Sequence, residues 1–188
     1  GRDCLDVSAG SNCSERGPCL ATTEVVVDRV DLLENVADAV GSGRGGGGAA
    51  FFAPTTAGGG IRLTLSGGTV QGNSAAGDGG GILAVASGDG RFEARIDGAT
   101  VKSNSATNNG GGIAVKATLG VSARADVLLA GDTVSANAAT GSGGGIHANL
   151  DVAGTARIVA VGGGAYGNAT DGDGGGMAHF AYYDVGGP

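Results

Sequence analysis

The feature that most constrains this chain is a repeat. Aligned on asparagine, four segments superimpose: Val70-Gln71-Gly72-Asn73-Ser74-Ala75, Val101-Lys102-Ser103-Asn104-Ser105-Ala106, Val134-Ser135-Ala136-Asn137-Ala138-Ala139 and Ala165-Tyr166-Gly167-Asn168-Ala169-Thr170. Six residues beyond each asparagine begins a glycine triplet followed by Ile or Met: Gly79 to Ile82, Gly110 to Ile113, Gly143 to Ile146 and Gly174 to Met177. The asparagines are 31, 33 and 31 residues apart. A weaker copy, Leu32-Leu33-Glu34-Asn35-Val36-Ala37, lies 38 residues before Asn73, with its glycines displaced to Gly45–Gly48. A fixed period of this length means stacked units, each too small to bury its apolar face alone.

Within each repeat the alternation has period two, the mark of a strand. Counting back from Asn, positions −12, −10 and −8 are Ile61/Leu63/Leu65, Phe92/Ala94/Ile96, Ala125/Val127/Leu129 and Ala156/Ile158/Ala160, with Arg62, Glu93, Asp126 and Arg157 at −11. A second short strand runs through Thr69-Val70, Thr100-Val101 and Thr133-Val134. A third follows the glycines, with Ile82/Ala84/Ala86, Ile113/Val115/Ala117 and Ile146/Ala148/Leu150 inward. Three strands per coil, bonded to the next coil at about 4.8 Å, make an all-β parallel coil. Composition agrees. Glycine takes 42 of 188 positions, but proline only 3 and without an every-third glycine, which excludes collagen. With 41% apolar and 15% charged residues, the chain is too apolar for simple disorder.

The special residues then acquire physical roles. Glycine triplets permit positive φ at a sharp corner where stacked coils leave no room for Cβ. Asn35, Asn73, Asn104, Asn137 and Asn168 fall one above another, each amide bonding its neighbour. An asparagine buried without such a partner costs about 1–3 kcal/mol, so the column is expected to be filled throughout.

The pattern [V/A]-x-x-N-x-[A/T] followed by GGG[I/M] resembles the FxxN/GGA[I/L/V] repeats of the polymorphic outer membrane protein family. It is also similar to wider pectin-lyase-like adhesin β-helices. The chain departs in having Val or Ala for Phe, and Gly where Ala is frequent. The resemblance implies a right-handed, single-stranded parallel β-helix of about four to five coils of 31–33 residues. Expected boundaries are a cysteine-containing cap over 1–23, repeats over 24–183 and a tail over 184–188. Residues 24–40 also suit an amphipathic helix, because Val26, Val30, Leu33, Ala37 and Val40 are spaced 4, 3, 4 and 3. Val25 and Val27 occupy the strand positions, and the strand is the preferred reading.

Eleven basic and eighteen acidic residues, with no basic run, speak against nucleic-acid binding. No apolar run approaches the roughly 20 residues of a membrane span. The chain opens on Gly1-Arg2-Asp3 without a Met, which suggests a segment of something longer. Cys4, Cys13 and Cys19 sit among Ser, Asn, Gly and Pro at spacings that favour a disulfide over a zinc knuckle, and so an extracellular setting. Asn12 begins a plausible glycosylation sequon. Asn168 begins another, but glycosylating it would compete with the column.

Several columns are candidate sites. At −11, Glu24, Arg62, Glu93, Asp126 and Arg157 could grip a charged sugar, but a cross-coil charge ladder fixing register explains them more simply. Thr69, Thr100 and Thr133 raise ice binding, yet the parallel column two residues on is Gln71, Lys102, Ser135 and Tyr166 rather than Thr. Asp173 aligns with Asp78, Asn109 and Ser142. Without a following Glu, these read as turn residues rather than a calcium loop. His147 and His179 fall at +10 and +11, on opposite faces, and no carboxylate or nucleophile converges on either. Leu83, Val85, Ala114, Ala178, Phe180 and Tyr182 form an outer apolar strip. It reads equally as an interface and as a surface covered by a loop such as Ala49–Pro54.

The expected function is an extracellular, cell-surface or appendage module, structural or adhesive, working by protein–protein contact without catalysis or cofactor. Its partners are other subunits or further domains of the same longer chain. The alternative is a carbohydrate-binding or polysaccharide-cleaving pectin-lyase-like protein with a glycan partner. An ice-binding solenoid comes third.

Overall fold

The computed structural model describes residues 22–38, 45–55, 59–120 and 123–182. Cys4, Cys13, Cys19, Asn12 and the 184–188 tail lie outside the described residues. Among those described there is no helix, and every strand pairing is parallel. The chain is a parallel β-solenoid whose coils build four five-stranded sheets. The first sheet stacks Thr22–Asp28, Gly60–Ser66, Arg91–Asp97, Arg124–Ala130 and Thr155–Val161. The second stacks Leu32–Leu33, Thr69–Gln71, Thr100–Lys102, Thr133–Ser135 and Gly164–Tyr166. The third stacks Val36–Ala37, Ser74–Ala75, Ser105–Ala106, Ala138–Ala139 and Ala169–Thr170. The fourth stacks Ala49–Thr55, Ile82–Gly88, Ile113–Leu119, Ile146–Val152 and Met177–Tyr182.

The expected three strands per coil are therefore four. The additional strand is the two-residue segment directly after each asparagine, which is too short to show any alternation. Residues 22–28 are strand rather than capping helix, pairing Glu24 with Arg62 and Val25 with Leu63. Ala49–Pro54 is likewise not a covering loop. It is a strand in register with Ile82–Ser87.

Register follows the repeat residue by residue. Ile61 pairs with Phe92, Phe92 with Ala125 and Ala125 with Ala156, so inward positions make continuous apolar columns. The core is densest in the middle coils, around Leu65, Val70, Ile82, Phe92, Ile96, Val101, Ile113, Val134 and Leu150. Full burial of each such side chain is worth about 1.5–3 kcal/mol. Inward residues of the end coils, including Val27, Leu32, Ile158 and Met177, are only partly buried.

The corners require glycine. Gly46, Gly79, Gly110, Gly143 and Gly174 all have φ between +65° and +83°. At Gly111 a Cβ would stand 2.3 Å from the Ala138 carbonyl oxygen, closer than any real contact. In the first coil, Gly46 to Gly48 lie in register with Gly79 to Gly81. Its extra residues fall between Ala37 and Gly46 and between Thr55 and Gly60.

Candidate functional site

The asparagine column is the most ordered polar feature. The backbone N–H and one amide hydrogen of Asn35, Asn73, Asn104 and Asn137 both donate to the Oδ1 of the asparagine one coil on, all at 2.9 Å. Amide hydrogens of Asn73, Asn104, Asn137 and Asn168 also reach back to the carbonyls of Leu32, Val70, Val101 and Val134. Asn73, Asn104 and Asn137 are fully buried. Inside a medium of low polarity such saturated chains are strong, and they fix register. The side chain of Asn168 is engaged at both its oxygen and its nitrogen. A parallel polar column occupies the turns. Asn109 donates to the Asp78 carboxylate, and its own Oδ1 accepts from the Ser142 N–H. The Asp173 N–H in turn donates to the Ser142 hydroxyl.

The outer face of the first sheet carries the −11 column, in register as Glu24, Arg62, Glu93, Asp126, Arg157. Arg62 bridges Glu24 at 4.0 Å and Glu93 at 3.1 Å. Glu93 and Asp126 would repel one another, but Arg91 sits 3.4 and 3.5 Å from them and Arg124 also binds Asp126. These hydrogen-bonded carboxylates hold the Arg62 and Arg124 guanidiniums above their ordinary pKa. Arg157 makes no ion pair among the described residues. It lines a groove of about 330 Å³ with Arg91, Glu93, Arg124, Asp126 and Leu128. The Thr69, Thr100 and Thr133 column meets Gly164, and the column beside it runs Gln71, Lys102, Ser135, Tyr166.

The fourth sheet's outer face corrects two expectations. Leu83, Ala114 and Ala178 are buried, so they form no exposed apolar strip. The glycine turns fold across them: a Cβ on Gly79 would lie 3.0 Å from the Leu83 Cα, and one on Gly110 would lie 2.9 Å from the Ala114 Cβ. Val85 and Phe180 are half-buried, and the Tyr182 side chain lies outside the described residues. The second correction concerns histidine. His147, in the same buried column, does have charged neighbours. The fully buried Asp78 carboxylate pairs with Lys116 Nζ at 2.7 Å, and both charges act on the imidazole. Burial drives the His147 pKa down and Lys116 adds to this, while Asp78 opposes. His147 Nδ1 and Asn149 Oδ1 are buried without a partner, and the Phe180 ring lies 5.5 Å from the imidazole. His179 falls in the Ala148 column, on the opposite face. Residues at +5, +10 and +12 of different coils build this cluster. Only the path of the turn across the sheet could have revealed it.

A hollow of about 240 Å³ opens in the last coil, lined by Leu129, Val134, Ile146, Ala160, Ala165 and Met177. Beside it Asp132 is buried. One oxygen accepts the Ala99 N–H and the other has no partner, and burial pushes its carboxyl pKa up. No group of three His, Cys, Asp or Glu suited to a metal occurs among the described residues. No helix among them is long and apolar enough to cross a membrane.

With this geometry in hand, comparison with family models, curated proteins and solved structures gave no match. The class defined is that of the fold alone, a parallel β-solenoid.

Proposed function

We propose that the chain is an extracellular structural or adhesive module, a rigid β-solenoid of a cell surface or appendage that works through protein–protein contacts. One observation carries the reading: among the described residues all four sheets end in unpaired edge strands at both terminal coils, and these coils expose apolar side chains. Leu33 and Val36 are 51% and 65% exposed at one end, Val161 and Tyr166 52% and 63% at the other. Edges of this kind are templates for another strand. The likeness of the repeats to those of polymorphic outer membrane and pectin-lyase-like adhesins supports the same setting. The test is saturable binding of the purified chain to cell surfaces. The reading expects binding to vanish when surface proteins are removed with protease and to persist after glycosidase treatment. The opposite pattern would overturn it.

A carbohydrate-binding reading has its own support. Among the described residues Arg157 stands without an ion pair, in a groove also lined by Arg91 and Arg124, which suits an acidic polysaccharide. In that case pectin or alginate raises the melting temperature, and Arg157→Ala removes the rise.

A further inference from the structure

Resting on the contact-making reading, we infer that a second copy of this chain stacks head to tail, its first coil seated on the fifth coil of the copy beneath. Three features of the ends fit one another.

The first is the polarity of the asparagine column. Asn73, Asn104 and Asn137 each donate the N–H and an amide hydrogen to the coil that follows and receive the same pair from the coil before. Asn168 therefore ends the stack with two donors that have no acceptor among the described residues. Asn35 begins it with an Oδ1 that receives no donor there. Continued by one coil, the pattern sets the donors of Asn168 on the Oδ1 of the next copy's Asn35. That Asn35 then reaches back to the Ala165 carbonyl, as Asn168 does to Val134.

The second is charge. Among the described residues the upper end of the −11 column presents Arg157 without an ion pair, and the lower end presents Glu24, held only at 4.0 Å by Arg62. Stacking places the cation over the carboxylate. The third is shape. The 240 Å³ hollow lies beneath small residues, Ala160 and Ala165, and the next copy brings Val27 and Leu32 over those positions. On the outside Tyr166 meets Leu33. The same superposition puts Asp171 over Asp38, a like-charge pair that limits affinity.

Facing two identical ends would set acceptor on acceptor or donor on donor and would run the strands antiparallel. The contact is therefore heterologous. A heterologous contact whose rotation does not close grows as an open filament.

Sedimentation velocity on the native chain tests this, with two variants that each block one end. Arg157→Ala with Tyr166→Lys blocks the upper end, and Glu24→Ala with Leu33→Lys blocks the lower. The expected result is native mass rising with concentration and at least tenfold weaker self-association for each variant. An equimolar mixture of the variants should form a one-to-one dimer that grows no further, since each supplies the intact end the other lacks. Should a double variant lose its β-sheet circular dichroism, single Tyr166→Lys and Leu33→Lys read the same contact. A native chain monomeric at all concentrations, a blocked variant that dimerises alone, or a mixture that stays monomeric overturns the inference. A monomeric chain that still binds cell surfaces defeats the stacking and leaves the adhesive reading intact. A stacking chain without surface binding does the reverse.

Discussion

Two columns run the length of this solenoid, each built from one residue per coil, and they obey opposite rules. The asparagine column is buried in its middle, uses a single residue type in all five coils and satisfies itself like on like. The −11 column on the first sheet faces outward, half-buried at Arg62, Glu93 and Asp126 and exposed at Glu24 and Arg157. It changes sign irregularly and borrows Arg91 and Arg124 from a neighbouring column to settle Glu93 beside Asp126. Burial explains the difference. A buried amide has only its neighbours to bond, so any other residue leaves groups orphaned above and below. An exposed charge has water, so the column tolerates any order and contributes little. Repetition in this chain is strict where water is excluded and loose where it is not.

The comparison breaks most readily at Asn104. Asn104→Leu strands the N–H and one amide hydrogen of Asn73, removes a donor from the Val70 carbonyl and takes one of two donors from Asn137. The expected loss is about 3 kcal/mol by denaturant melt, and a neutral result would show that the column is ornamental. Next in size is Gly112→Ala, which drives a methyl to 3.0 Å from the amide of Asn137 and 2.7 Å from the Gly145 carbonyl oxygen. A loss of about 2 kcal/mol is expected in the same melt.

Partly satisfied polar groups should fall between the two columns. Asp132→Asn keeps the acceptor for the Ala99 N–H and removes a buried charge, so stability at pH 7 should rise by about 1 kcal/mol. The native carboxyl titrates higher folded than unfolded. The advantage of the variant therefore shrinks as pH falls through the folded pKa, where the native protein gains stability. His147 has the reverse sign. Its folded pKa lies below the ordinary 6.5, so on acidification the unfolded chain takes up a proton that the folded chain resists. Its contribution is complete above about pH 6.5 and declines as pH drops toward the folded value. Melts of His147→Gln across that window should lose this slope. Arg62→Ala, on the outward-facing column, should change the melting midpoint least of all.

Much of this architecture was legible because solenoid geometry converts sequence spacing directly into position. Asn-to-Asn distances located the coils, and alternation located the inner face of the first and fourth sheets. Alternation names a side of a strand, however, and says nothing of what lies across it. Leu83 points outward and is nevertheless buried, because the turn through Gly79 folds back against it. The same turn brings Asp78 to Lys116, 38 residues away, and into the field of His147, a convergence that no spacing within one repeat encodes. The third sheet escaped notice because two residues cannot display a period.

Successive coils lie in register, with like side chains bonded to one another. The most direct measurement is the scalar coupling across a hydrogen bond, read by NMR between a backbone amide nitrogen and a side-chain carbonyl carbon. Couplings are expected from the amides of Asn73, Asn104 and Asn137 to the side-chain carbonyls of Asn104, Asn137 and Asn168, with slow solvent exchange at each donor. Rapidly exchanging amides with no such coupling, in a chain that still shows cooperative β-sheet melting, would contradict this bonding.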